Sequence, residues 1–178
     1  MSYEELDERI NRLANAYREL GLQHGDRFAV MATDSIEHIE TALAICRAGG
    51  VYVPLNYRLR EEEVGYLLSD SDPVLLAVDP DYLDIARAVR QKVISVGHVV
   101  VFGAASDDVL AHDDVVSRGA ATYPSVELRP DDVVQIQYSS GTTGLPKGAV
   151  LTHHTLSSRT AIGLLESCLL YTSDAADE

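Results

Sequence analysis

Positive charge is scarce in this sequence. Its 178 residues include 14 lysines and arginines against 28 aspartates and glutamates, so the formal net charge at neutral pH is −14. Nucleic-acid binding usually needs a broad basic surface, and we therefore expect no nucleic-acid partner. The acidity does not exclude a small phosphate ligand, because one local loop can supply that contact.

Cysteines are few, and long apolar runs and the pattern of a secretory leader are lacking. Cys46 and Cys168 form neither a metal-binding spacing nor a disulfide framework. No apolar run approaches the roughly 20 residues that cross a membrane. Residues 1–5 lack the basic and apolar regions of a secretory signal. We predict a cytoplasmic location and no integral membrane segment.

The chain does have the apolar content for a core. Hydrophobic residues make up 46% of it, which excludes a disordered chain, and its length suits one domain or slightly more. Helical and strand patterns alternate, and several strands are continuous apolar runs. This pattern is typical of a mostly parallel sheet covered by helices on both faces, so we predict an α/β fold.

Capping residues and periodicity place the predicted elements. Ser2 and Glu5 form a capping box, Asp34 or Ser35 caps a second helix, and Thr152 caps a last one. The predicted helices cover residues 2–20, 36 to the glycines at 49 and 50, 60–68, 80–90, and 153 onward. The predicted strands cover residues 26–32, 51–53, 74–78, 99–102 and 132–138. Residues 103–130 are predicted to be mostly loop, with a short helix near 107–117.

The most informative stretch is residues 138–148. It holds three glycines, two serines, two threonines, one proline and one lysine between two apolar runs. Glycines allow positive φ and close approach of a ligand. Successive backbone N–H groups can point at one anion, hydroxyls add hydrogen bonds, and a lysine adds charge. An ordinary turn has similar residue types but needs only two to five residues. We therefore predict a phosphate-binding loop.

Two common nucleotide patterns do not match this loop. The P-loop needs a serine or threonine directly after its lysine, whereas Gly148 follows Lys147, and the G-x-G-x-x-G pattern is absent. Residues 138–148 instead resemble the signature loop of the adenylate-forming enzymes. That family includes AMP-forming acyl-CoA synthetases, peptide-synthetase adenylation domains and beetle luciferases.

The resemblance continues upstream of the loop. Residues 2–6, 11–14 and 25–27 are similar to the first helix and strand of the family, and residues 49–56 are similar to its second core motif. Residues 56–59, Asn-Tyr-Arg-Leu, are more similar to acyl-CoA synthetases, with long-chain fatty acid–CoA ligases as our narrower expectation. An aromatic-acid ligase and a peptide-synthetase adenylation domain are the near alternatives. A non-catalytic nucleotide-binding module, or a plain structural domain, is the alternative from another class.

The resemblance implies a two-step reaction. A carboxylic acid and ATP, with Mg²⁺, give an acyl-adenylate and pyrophosphate, and coenzyme A then takes the acyl group as a thioester. The loop is implied to hold the departing phosphates. The implied phosphate-binding residues are Ser139, Ser140, Gly141, Thr142, Thr143, Gly144, Lys147 and Gly148.

Parts of the family pattern have no counterpart here. The motifs for adenine, ribose and Mg²⁺, and the domain with the adenylation lysine, come later in the family, so the catalytic residues stay unknown. We expect residues 1–167 to be the N-terminal part of an AMP-binding domain that is inactive alone and that exposes apolar surface at the open side of its incomplete sheet. Residues 168–178 resemble a translated sequencing adapter more than a native acidic tail, so Cys168 receives no functional interpretation.

Other titratable residues receive structural interpretations. His153 and His154 are predicted at a helix start, and Glu61, Glu62 and Glu63 at a solvated one. Cys46 is predicted to lie in the core. The remaining histidines form no metal spacing, namely His24, His38, His98 and His112. The acidic pairs at 107–108 and 113–114 lack the glycine spacing of a calcium loop and are predicted to be solvated.

Overall fold

The computed structural model describes residues 1–106, 108–139 and 144–174, and it describes side chains as far as residue 163. The helices are α1 (Tyr3–Glu19), α2 (Ile36–Arg47), α3 (Glu61–Ser71), α4 (Leu83–Arg90), α5 (His112–Arg118) and α6 (His153–Asp174). The strands are β1 (Arg27–Met31), β2 (Val51–Pro54), β3 (Leu75–Val78), β4 (His98–Val101), β5 (Leu110–Ala111), β6 (Val133–Ser139) and β7 (Lys147–Thr152). A 3₁₀ turn at Pro80–Tyr82 leads into α4.

The strands form one sheet, which among the described residues has the order β5-β4-β3-β1-β2-β6-β7. All neighbours are parallel except β6 and β7, which are antiparallel. The prediction of a mostly parallel α/β sheet is therefore confirmed. Because the parallel strands end at the same edge, the segments that follow β2 and β6 leave the sheet side by side.

Two apolar cores cover the two faces of the sheet. Helices α1, α2 and α5 pack on one face around Leu13, Tyr17 and Phe28. Helices α3 and α4 pack on the other face around Leu68 and Val89. Each large apolar side chain buried in this way contributes about 1.5–3 kcal/mol, so α3 is held firmly against the face that it covers.

Three predicted helix starts are confirmed by their capping bonds. The Ser2 hydroxyl accepts from the Glu5 amide at 3.2 Å, and the Glu5 carboxylate accepts from the Ser2 amide at 2.6 Å. The Ser35 hydroxyl accepts from the His38 amide at 3.1 Å. The Thr152 hydroxyl accepts from an amide one turn into α6. Caps are local, which is why the sequence locates them well.

One element was predicted wrongly, and another was predicted too short. Residues 110 and 111 form β5, because they pair in parallel with Val100 and Val101 of β4, and the helix begins only at His112. Helix α3 continues past residue 68 to Ser71, where Arg27 donates to the carbonyls of Ser71 and Asp72. Both differences come from contacts with distant strands, which local patterns do not report.

The described residues contain no helix with the length and apolar character needed to cross a membrane. Helix α6 extends to residue 174, beyond the boundary predicted at residue 167. The origin of residues 168–178 stays a prediction.

Candidate phosphate-binding site

The two ends of the predicted phosphate loop are held together by a hairpin. Strands β6 and β7 pair in antiparallel register, with Tyr138 opposite Gly148 and Ser139 opposite Lys147. The hydroxyl at the start of the loop and the cation at its end are therefore cross-strand neighbours. Four of the predicted site residues lie outside the described residues, namely Ser140, Gly141, Thr142 and Thr143.

The hairpin places the loop at the carboxyl edge of the sheet. Strand β6 runs parallel to β2, so Ser139 lies at the same edge as Pro54 and the loop that follows it. Open α/β sheets bind ligands at this edge. A cavity of about 410 Å³ opens here, and its lining includes Pro54, Asn56, Leu59, Tyr138, Ser139 and Pro146.

Lys147 is available to an anion. The sequence has two lysines, and Lys92 is paired with Glu61 at 2.6 Å. Lys147 is exposed, and within the described ranges it forms no ion pair. An unpaired cation beside a serine hydroxyl suits a phosphate group, because charge-assisted hydrogen bonds to phosphate are roughly twice as strong as neutral ones.

The two described glycines of the loop are needed for different reasons. Gly144 has a φ of +148°, which side-chain-bearing residues rarely adopt, and nothing lies within 4 Å of the position of a Cβ atom. Gly148 lacks that conformational requirement but has no room for a side chain. A Cβ atom there would lie 2.7 Å from Ile136 Cγ2 and 3.3 Å from the Tyr138 ring. Whether Gly148 also contacts phosphate stays a prediction.

Sequence reasoning missed the contact between the loop and α3. The Tyr138 hydroxyl donates to Asp70 Oδ2 at 2.5 Å, and the Tyr66 hydroxyl reaches the Pro146 carbonyl at 3.5 Å. Burial, and next the bond to Asp70, raises the pKa of Tyr138, so its hydroxyl stays a donor. The sequence contained no signal for this contact, because the helix was predicted to end at residue 68 and Asp70 occupies its last turn only in the structure.

The histidines near the site have structural roles. The backbone amides of His153 and His154 donate to the carbonyls of Asp132 and Pro130, which joins the start of α6 to the segment before β6. The His24 ring lies 3.0 Å from the Asp132 carboxylate. Their positions agree with the interpretation of His153 and His154 as residues of a helix start.

His38 is fixed through both ring nitrogens. Its Nδ1 donates to the Thr33 carbonyl at 3.1 Å, and its Nε2 forms a hydrogen bond with the Tyr52 hydroxyl at 2.7 Å. Burial raises the pKa of Tyr52 to about 12 and keeps that hydroxyl protonated. These bonds leave no ring nitrogen for a ligand.

Glu40 and His112 form a buried pair of ionisable side chains that the sequence did not indicate. Arg9 donates to both Glu40 carboxylate oxygens, at 2.6 and 2.9 Å, and Glu40 is fully buried. His112 is 2% exposed, and its Nε2 lies 3.7 Å from Glu40. Neither His112 ring nitrogen forms a hydrogen bond with the residues that the structure describes. Burial lowers the pKa of His112, while the Glu40 charge opposes that shift.

The remaining acids and Cys46 show no metal or nucleophile chemistry. Within the described part of the chain, no three histidine, cysteine or acidic side chains are placed to hold a metal ion. Asp107 lies outside that part, and Asp108 is paired with Arg87 at 2.8 Å. Cys46 is half-buried rather than in the core, and burial raises the pKa of its thiol to about 11. A thiol that stays protonated is a poor nucleophile.

Comparison with known proteins identifies relatives along most of the chain. The profile of the AMP-binding enzyme family matches residues 1–175. The chain is 37% identical over 158 residues to the 3-hydroxybenzoate–CoA/4-hydroxybenzoate–CoA ligase of Thauera aromatica, which covers 88% of the chain and 30% of the relative. It is 34% identical over 160 residues to the crotonobetaine/carnitine–CoA ligase of Salmonella paratyphi A, which covers 87% of the chain and 31% of the relative.

A solved structure of another CoA ligase resembles the fold of this chain. The anthranilate CoA ligase AuaEII in complex with anthranoyl-AMP matches with a TM-score of 0.82 and 27% identity. The match covers 86% of the chain and 30% of that protein. The chain thus spans about 30% of the length of the relatives that it matches.

Proposed function

The chain belongs to the AMP-binding enzyme family, and on that premise we propose that residues 1–167 form the N-terminal part of a cytoplasmic, AMP-forming acid–thiol ligase. The carboxylate oxygen of the acid attacks the α-phosphorus of ATP, and the bond to the bridging oxygen breaks, so that pyrophosphate leaves. The thiol of coenzyme A then attacks the acyl carbonyl, and AMP leaves. The observation that carries the proposal is the family match together with the Ser139–Lys147 hairpin at the carboxyl edge.

The proposed task of the loop is to hold the departing pyrophosphate. Negative charge accumulates on the β-phosphate as the bond to the α-phosphorus breaks, and a fixed cation and oriented donors stabilise that charge. Lys147 supplies the charge and Ser139 a hydroxyl, and both project from paired strands rather than from a free loop. We also propose that five other loop residues contact the phosphates through hydroxyl groups or backbone amides, namely Ser140, Gly141, Thr142, Thr143 and Gly144.

We propose that Mg²⁺ accompanies ATP as part of the substrate. Protein-bound Mg²⁺ commonly has one or two carboxylates plus the substrate phosphates as ligands. The described residues contain no ready cluster of metal ligands, so the ion is assigned to the nucleotide rather than to this part of the chain.

The identity of the carboxylic acid is less constrained by the relatives than that of the other substrates. The two named relatives act on hydroxybenzoates and on crotonobetaine or carnitine, which are aromatic and aliphatic acids. We propose a carboxylic acid in general and a long-chain fatty acid as the narrower hypothesis, because residues 56–59 are similar to acyl-CoA synthetases. A panel of benzoate, hydroxybenzoates and fatty acids in a thioester assay tests this. Activity confined to aromatic acids would reject the narrower hypothesis.

ATP–pyrophosphate exchange tests the main proposal. The protein is expressed from the complete reading frame that encodes these residues, with Lys147→Ala and, as the matched control, Lys92→Ala. We expect exchange to fall at least about tenfold in Lys147→Ala, because losing a charge-assisted hydrogen bond costs about 1.5–3 kcal/mol. Lys92→Ala should keep its activity, because its partner Glu61 lies on the surface.

Two other outcomes of this assay are decisive. Equal exchange in both lysine variants would contradict the assigned role of Lys147. ATP binding without exchange or thioester formation would favour a non-catalytic nucleotide-binding module. We also expect the 178-residue chain by itself to show no exchange, and measurable exchange by that chain would refute the expectation.

A further inference from the structure

We propose that Tyr138 and Asp70 are positioning residues, which fix the two stems of the phosphate loop, β6 and β7, on helix α3. This inference rests on the proposed function for its catalytic consequence but not for the anchoring itself. Tyr138 immediately precedes Ser139, and its hydroxyl donates to Asp70 at 2.5 Å across 68 residues of sequence. The strand that leads into the loop is thereby joined to a helix packed on the sheet.

The Tyr138 ring also constrains the strand that leaves the loop. Gly148 lies opposite Tyr138 in the hairpin, and a Cβ atom there would approach the Tyr138 ring to 3.3 Å. The ring therefore lies across the backbone of β7, one residue from Lys147. A displacement of Tyr138 would move both stems of the loop, because the two strands also share their ladder hydrogen bonds.

Helix α3 reaches the second stem directly. The Tyr66 hydroxyl lies 3.5 Å from the carbonyl of Pro146, the residue before Lys147. Tyr66 and Asp70 are four residues apart and so lie on the same face of α3. Two side chains of one helical face thus contact the two stems of one loop.

The position of Asp70 is unfavourable for the helix itself. The last turn of α3 contains no basic residue, and the dipole of a helix disfavours a negative charge at its C-terminal end. Arg27 compensates by donating to the carbonyls of Ser71 and Asp72. The carboxylate gains a strong bond from a tyrosine that keeps its proton, since the pKa of Tyr138 is raised. An acid at this position is explained by the tyrosine contact and not by helix stability.

The arrangement has a specific consequence for Lys147. The lysine is opposite Ser139 and next to Gly148, so its location depends on the two strands that Tyr138 holds. Loosening the hairpin should weaken the contact with the phosphates of ATP more than the contacts with the acid or coenzyme A. The predicted signature is a rise in the KM for ATP alone.

Hydrogen–deuterium exchange and steady-state kinetics test the proposal with four variants of the protein from the complete reading frame. Tyr138→Phe and Asp70→Ala remove the bond, whereas Asp70→Asn keeps an acceptor oxygen. Tyr17→Phe is the matched control, because it removes a buried tyrosine hydroxyl that bonds Thr41 at 3.1 Å, away from the loop.

In Tyr138→Phe and Asp70→Ala we expect faster amide exchange across residues 133–152. We also expect the KM for ATP to rise about tenfold, which is the effect of losing a hydrogen bond to a charged group. The KM values for the acid and coenzyme A should stay unchanged. Asp70→Asn should restore most of the wild-type behaviour, and Tyr17→Phe should lower the melting temperature without altering the KM for ATP.

The outcomes separate this proposal from the proposed function. Unchanged amide exchange in Tyr138→Phe overturns the anchoring whether or not the protein uses ATP. A lower melting temperature with an equal loss of kcat for every substrate also overturns it, because that pattern indicates a merely structural role. An inactive wild-type protein refutes the proposed function, and amide exchange alone then decides whether Asp70 and Tyr138 hold the hairpin.

Discussion

Gly148 illustrates how the same residue type serves two purposes within one short segment. Gly144 is required for its backbone angle, while Gly148 is required for the space that Ile136 and the Tyr138 ring occupy. From the sequence both belong to one glycine-rich loop. The structure assigns Gly148 to a strand and gives it a packing role.

Gly148→Ala should therefore destabilise the protein. The added methyl group would lie 2.7 Å from Ile136, and overpacking of this kind costs about 1–3 kcal/mol. Gly65→Ala is the control, since nothing lies within 4 Å of its Cβ position inside α3, and we expect a gain of about 0.5–1 kcal/mol. Urea unfolding of the 178-residue chain measures both. A neutral Gly148→Ala would contradict the packing role.

Arg9 is the second residue with a large predicted effect. Arg9→Met would leave the fully buried Glu40 carboxylate without its two hydrogen bonds, which should cost about 3 kcal/mol of unfolding free energy. Arg129→Met is the control, because Arg129 is exposed and its ion pair with an exposed glutamate is long, at 3.9 Å. Denaturant unfolding compares the two, and similar losses would show that the buried pair contributes nothing special.

At the scale of elements, local sequence decides where helices begin. Ser2, Ser35 and Thr152 each cap the helix that was predicted for them. Where elements end, and whether a short one is a strand, depends on neighbours. Helix α3 is extended where Arg27 binds its last carbonyls, and β5 forms because β4 offers a parallel partner.

The cap of α2 provides a test at this scale. Ser35→Ala removes the bond to the His38 amide and should cost about 1 kcal/mol. Ser35→Asp should keep most of the stability, because aspartate caps helices about as well as serine. Thermal and urea unfolding measure both variants. An equal loss in the two would mean that the hydroxyl packs rather than caps.

At the scale of the whole molecule, the junction of α1, α2 and α5 is expected to respond to pH. His112 of α5 faces Glu40 and Glu37 of α2, Arg9 of α1 and its neighbour Asp113. Burial lowers the pKa of His112, so the folded state prefers the neutral ring. This contribution to stability is present above the unfolded pKa of 6.5 and is lost as the pH falls below it.

We therefore expect the unfolding free energy to decrease between about pH 7.5 and about pH 5.5, and to decrease less in His112→Gln. Urea titrations at the two pH values give the comparison. Groups that do not face His112 are the same in both proteins, so the difference between the two pH dependences reports on His112 together with the acids that face it. The same pH dependence in both would rule out this group as the cause.

The molecule also exposes an apolar stripe on α2. Ile36, Ile39 and Leu43 are 56%, 56% and 47% exposed. Ile39→Lys should raise the highest concentration at which the 178-residue chain is still monomeric, as measured by light scattering. Glu62→Gln changes the net charge by the same amount on exposed α3 and is the control. Equal improvement in both would assign the effect to charge alone.

The sequence predicted the fold better than it predicted the contacts around the site. Alternating patterns predicted the α/β class, and residues 138–148 predicted the family, while the phosphate-binding role of these residues stays a prediction. Glu40 and Asp70 gave no comparable signal, because Glu40 looks like an ordinary helical acid in the sequence and Asp70 lies beyond the predicted end of its helix. Their partners Arg9 and Tyr138 lie 31 and 68 residues away. No local pattern connects positions so far apart.

The linear sequence was sufficient for whatever depends on neighbouring residues: the caps, the apolar periodicities and the glycine–hydroxyl–lysine segment. These features depend on backbone geometry and burial over a few residues, which the order of the amino acids specifies directly. The folded chain was needed to place Lys147 opposite Ser139, to lay the Tyr138 ring over Gly148 and to bury Glu40 beside Arg9. The first two contacts exist because β6 and β7 pair in antiparallel register, and the third exists because α1 and α2 pack on the same face of the sheet.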